Sequence, residues 1–105
     1  MKLYHTLPVE YFEEQMREDG FYTYWDRKFN DTTTLGIWCC DNSRSSWRAG
    51  QNKKHICMII GIDATDMHID NQGDFLNKHN GDYYILRERF IPKNRISIEH
   101  KEETA

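Results

Sequence analysis

His55-Ile56-Cys57-Met58-Ile59-Ile60-Gly61-Ile62 is a nearly continuous apolar run of eight residues. A half-buried strand alternates apolar and polar residues, so a run without alternation reads as a strand buried on both faces. It predicts the centre of a β-sheet, and the rest of the chain is read outward from it. Toward the N-terminus, residues 34–40 form a second strand, and residues 2–6 a short first one. Toward the C-terminus, residues 83–90 form another strand. Pro92 interrupts, and Arg95 to Glu99 reads as a last edge strand.

One helix is expected. Pro8 fixes a φ suited to a first helical turn, and Glu10 suits the positive helix end. Val9, Phe12 and Met16 follow at helical spacing, and Gly20 is a natural stop, which predicts a helix over residues 8–19. Phe21 to Phe29 is aromatic and charged and reads as a strand or an ordered loop. Residues 41–54 and 66–81 are polar and read as loops. The whole is an α+β domain with a small mixed or antiparallel sheet, because only one helix is long enough to support a crossover. The 105 residues make a single domain, with residues 101–105 expected to fray.

Composition narrows the function classes. Seventeen acidic residues against fourteen basic ones give −3, which does not favour a phosphate-backbone binder. The 13% aromatic content argues against disorder. No run reads as a membrane span or a signal peptide, so a cytoplasmic, membrane-free setting is expected. Cys39, Cys40 and Cys57 lack zinc spacing and read as small buried hydrophobes in a reducing compartment. Asp66, His68 and Asp70 alternate, so on a strand they would share one face and could hold a divalent metal or simply form a polar edge. Arg44, Arg48, Lys53 and Lys54 surround Trp47, a set that suits a pyrophosphate, a single-stranded nucleic acid or a solvated loop.

Three segments carry a family likeness. They are Leu3-Tyr4-His5-Thr6, Leu35-Gly36-Ile37-Trp38-Cys39-Cys40-Asp41 followed by Ser45, Ser46 and Trp47, and Asp82-Tyr83-Tyr84-Ile85-Leu86. Their order resembles the nicotinamide-binding core of ADP-ribosyltransferases of the diphtheria-toxin and poly(ADP-ribose) polymerase type, in a minimal and divergent form. The resemblance implies that His5, Trp38 and Asp82 form a catalytic triad. It implies that His5 and Thr6 hold NAD, the substrate, and that Trp38, Ser46 and Trp47 line its nicotinamide pocket. Asp82 would stabilise positive charge on the nicotinamide ribose, and Glu88 is a second candidate carboxylate.

That chemistry fits those residue types. Cleaving the nicotinamide–ribose bond builds an oxocarbenium-like charge, which a preorganised carboxylate stabilises. A flat cationic ring suits an indole face, and a fixed histidine orients the dinucleotide. The acceptor of ADP-ribose would be a protein side chain, a nucleic-acid base or a small molecule. Transfer of an RNA 2′-phosphate to NAD is a related option. The family more often carries Tyr at the Trp38 position and Glu at the Asp82 position, as a divergent enzyme or a site without turnover would allow. The alternative function is a non-catalytic small protein that sequesters a nucleotide or grips and inhibits a partner protein, with Tyr24 and Trp25 as anchors in the latter case. A chain of this size would suit a microbe or its virus.

Overall fold

The structure, a computed structural model, describes residues 1–23, 36–42, 56–73 and 82–103. The elements run β1 (Lys2–Pro8), α1 (Val9–Gln15), β2 (Gly20–Tyr22), β3 (Ile37–Cys40), β4 (Ile56–Asp63), β5 (Ile69–Gly73), β6 (Tyr83–Leu86), β7 (Phe90–Pro92), a 3-10 turn (Lys93–Arg95) and β8 (Ile96–Glu103). A six-stranded sheet has the order β5-β6-β3-β1-β4-β8, and β2 and β7 form a separate ribbon. Every described pairing is antiparallel. The class is therefore α+β, a mostly antiparallel sheet with one short helix.

The apolar run forms β4, paired on one side with β1 and on the other with β8. It is interior but lies one strand from the edge; β3 and β1 hold the middle of the sheet. Both faces of β4 are buried as the run demands. Met58, Ile60 and Ile62 join Leu3, Leu7, Cys39, Tyr84 and Leu86 in one core. Cys57 and Ile59 are equally buried on the opposite face.

The helix starts where expected and ends early. Pro8 precedes it at φ −61°, and Glu10 sits in its first turn. It stops at Gln15 because the chain then closes a reverse turn. Arg17 and Gly20 exchange backbone hydrogen bonds of 2.8 and 3.2 Å, and Met16 bridges to Phe21. The helix lays Val9 and Phe12 on the core, and the Phe12 ring stacks on Phe21 at 6.2 Å between centroids. Buried Gln15 donates to the Tyr22 carbonyl at 2.9 Å, which ties the helix end to β2.

Three other expectations are revised. The polar stretch 66–81 contains β5, Ile69–Gly73, a sheet edge whose exposed side chains hide it from hydropathy. The strand expected over residues 83–90 is two strands, β6 and β7, broken where the backbone of Arg87 donates to His68 and Arg89 accepts from Thr23. β8 is the edge strand anticipated, but its ladder reaches Glu103, three residues into the stretch expected to fray. The aromatic segment from Phe21 begins as strand β2; from Tyr24 to Phe29 it lies outside the described residues.

Candidate functional site

Strand register decides which side chains can meet. His5 lies opposite Ile60, and Leu3 and Leu7 lie opposite Ile62 and Met58, so His5 projects from the core face. Tyr4 pairs with Cys40, and Trp38 and Cys40 pair with Ile85 and Tyr83. Because successive side chains alternate, Trp38 and Thr6 project from the face opposite His5. Trp38 is 38% exposed there. Thr6 is buried in the β1–β4 ladder opposite Ile59.

His5 and Trp38 nonetheless touch. The Nδ1–H of His5 donates to the Trp38 carbonyl at 2.6 Å, through backbone rather than indole. This bond fixes the tautomer and leaves Nε2 as an acceptor. Burial holds the imidazole below its ordinary pKa, opposed by the bond to Trp38, so the ring is neutral near pH 7.

Asp82 occupies the far end of the same sheet. Its backbone N–H donates to Asp41 Oδ2 at 3.1 Å, and its carbonyl accepts the Asp41 N–H at 3.2 Å. Its carboxylate accepts from Asn71 Nδ2 at 3.3 Å. Burial raises the Tyr84 phenol's pKa, helped by the nearby charges of Asp41 and Asp82. In register, His5 shares a row with Cys39 and Tyr84, and Asp82 lies two residues along and two strands over. Strand spacings put His5 and Asp82 roughly 12 Å apart. The three expected triad side chains therefore do not converge: two share a face at a distance, and the third projects from the other face. Ser46 and Trp47 lie outside the described residues, as do Arg44, Arg48, Lys53 and Lys54.

The remaining candidates have structural partners. Glu88 Oε2 accepts the backbone N–H of His68 at 2.7 Å and so caps the approach to β5. Asp66 sits in a turn at φ 65°, so the alternation through His68 and Asp70 does not share one strand face. Asp70 accepts from Arg87 Nε, and that bond holds its carboxyl below the ordinary range. Among the described residues, no three His, Cys, Asp or Glu side chains converge to hold a metal ion. The three thiols are buried and none is in a disulfide; burial pushes Cys40 up to about 11 and Cys39 higher still. Neither is a thiolate at neutral pH, so neither is primed for nucleophilic chemistry.

Sequence reasoning missed one feature, a Lys2–Glu99 ion pair at 2.9 Å that spans β4 and links the chain's first strand to its last. The small residue Gly61 between two isoleucines was its only signal. No described helix is long and apolar enough to cross a membrane. No protein-family model, no curated protein and no solved structure matches the chain.

Proposed function

We propose that this chain is a non-catalytic binding protein that grips a partner protein, with the Trp38 face of its sheet as the contact surface. One observation carries the reading: the indole of Trp38 is 38% exposed on the sheet face opposite His5, while most of its described neighbours on that face are buried. Transfer of ADP-ribose calls for a carboxylate at the nicotinamide ribose and an aromatic face at the ring bonded to it, and side chains on opposite faces do not meet that need. Trp is the residue most enriched among interface anchors.

A protein ligand fits better than a phosphate-bearing one. The chain is acidic overall. Two described cations beside the sheet, Lys2 and Arg87, hold Glu99 and Asp70. The test is capture on the immobilised chain, with retained proteins quantified for wild type and for Trp38→Ala of matched circular dichroism. The reading expects a protein retained by wild type and lost with Trp38→Ala. Retention indifferent to Trp38, or no retention, overturns it.

One observation favours a second reading, an ADP-ribosyltransferase or a binder of NAD or a related nucleotide. His5 is held through Nδ1, with Nε2 an acceptor that bonds to no described group, the form in which a histidine orients a ribose hydroxyl. Nicotinamide release from NAD, dependent on Asp82, is what that reading expects.

A further inference from the structure

The end of β3 meets the start of β6, with Cys40 opposite Tyr83, and an acid stands next on each strand, Asp41 and Asp82. The Asp41 N–H donates to the Asp82 carbonyl at 3.2 Å, which holds the two residues side by side. In return the Asp82 N–H donates to Asp41 Oδ2 at 3.1 Å, so the Asp41 carboxylate is drawn toward β6. The Asp82 carboxylate accepts from Asn71 on β5. Like charges on facing strand residues repel. Among the described residues no cation pairs with either acid; Arg87 holds Asp70 and Lys2 holds Glu99.

Tyr84 supplies an independent observation. It lies between Cys39 and Asn71 in register, two residues beyond Asp82. It is only 7% exposed, and its hydroxyl bonds to no described group. Buried hydroxyls are almost always hydrogen-bonded, so an orphan marks a place for a further group. Asp41 and Asp82 both act on the phenol and, with burial, help to keep its proton on. The hydroxyl therefore lies in the field of both carboxylates while donating to neither.

We propose that Asp41, Asp82 and Tyr84 form a binding site for the primary ammonium group of a small aliphatic amine. An ammonium carries three donors, and the site offers one acceptor on each of the three residues. Its bonds to the carboxylates are charge-assisted, and its charge relieves the repulsion between them. A bare metal ion fits less well. Calcium takes about six to eight oxygen ligands, and no third carboxylate converges here among the described residues. Both oxygens of Asp41 and Oδ2 of Asp82 already accept N–H bonds. What remains on them suits further hydrogen bonds better than a coordination shell. Tyr84 belongs to the core face, opposite Trp38, so this site is separate from the proposed partner surface.

The test is amide NMR of the isotope-labelled chain titrated near neutral pH with n-butylammonium chloride at constant ionic strength. Saturable shifts are expected at Asp41, Asp82 and Tyr84, with a dissociation constant of roughly millimolar or tighter. Butyltrimethylammonium, with the same charge and no N–H, is expected to bind at least about tenfold more weakly. Asp82→Asn is expected to weaken n-butylammonium at least about tenfold, and Tyr84→Phe about three- to tenfold, with unchanged circular dichroism. Asp41→Asn keeps an acceptor for the Asp82 N–H, and it is expected to lose binding without losing stability in the absence of amine, because it removes the repulsion. The absence of saturable shifts in wild type overturns the proposal, as does equal binding of the two cations or binding indifferent to Asp82→Asn and Tyr84→Phe. Calcium chloride that shifts the same amides at lower concentration than the amine also overturns it, in favour of a metal site.

Discussion

The ammonium of Lys2 lies 2.9 Å from the carboxylate of Glu99, and the pair crosses over β4 at Gly61. A side chain at Gly61 would place its Cβ 2.7 Å from both Lys2 Cε and Ser97 Oγ. The glycine in the apolar run is thus the gap through which the sheet's first and last strands are linked. The pair is largely solvent-exposed, so it fixes the arrangement of side chains more than it stabilises the fold.

Gly61→Ala and Gly36→Ala separate two reasons for glycine. At Gly61 the obstacles are flexible side-chain ends that can swing aside, and the expected cost is about 1 kcal/mol. At Gly36, φ is +123° and a Cβ would sit 2.2 Å from the Leu86 carbonyl oxygen, a backbone atom that cannot yield. The expected cost there is about 3 kcal/mol. Urea unfolding of the two variants checks the order, and equal costs would contradict it.

His5 makes stability depend on pH in a known direction. Its folded pKa lies below the ordinary value of 6.5, so between the two the unfolded chain binds more protons than the folded one. The contribution is fully present above about pH 6.5 and is lost as pH falls toward the folded pKa. His5→Asn keeps a donor for the Trp38 carbonyl and removes the titration. Between pH 7.5 and 5.5, wild type is expected to lose more unfolding free energy than His5→Asn.

The three thiols are expected to be silent in the folded protein. Cys39, Cys40 and Cys57 are buried, and the pKa of Cys40 near 11 leaves almost no thiolate at neutral pH. A colorimetric disulfide reagent at pH 7.5 is expected to titrate none of them quickly in buffer and all three in concentrated urea. Fast reaction of any thiol in buffer would contradict the burial described.

Phe21 is fully buried between α1 and the sheet, and pairs across the ribbon with Ile91. Phe21→Ala is expected to cost about 3–5 kcal/mol, because the cavity lies between a helix and a strand that cannot both close on it. Phe21→Leu is expected to cost less than half as much. Chemical denaturation of the pair tests whether α1 belongs to the cooperative core.

The strands that hydropathy revealed are those with buried apolar residues on at least one face. β4 is apolar on both faces, and β1 is anchored by Leu3 and Leu7. β5 was illegible because Asp70, Asn71 and Gln72 give a sheet edge no apolar stripe, and what holds it is the β6 ladder. The early end of α1 depends on the Arg17–Gly20 turn, a backbone event without hydrophobic periodicity. The candidate site was legible as residue types and not as geometry. Alternation within β1 and β3 puts His5 and Trp38 on some pair of faces, but only the Tyr4–Cys40 register shows that the faces are opposite.

The most direct test of a binding protein without chemistry is incubation with NAD and a cell lysate, with released nicotinamide measured for wild type and Asp82→Ala. With Asp82 bonded to Asn71 and distant from His5, both proteins are expected to give the same background release. Release by wild type that disappears in folded Asp82→Ala would contradict the account and make His5 and Asp82 parts of one active site.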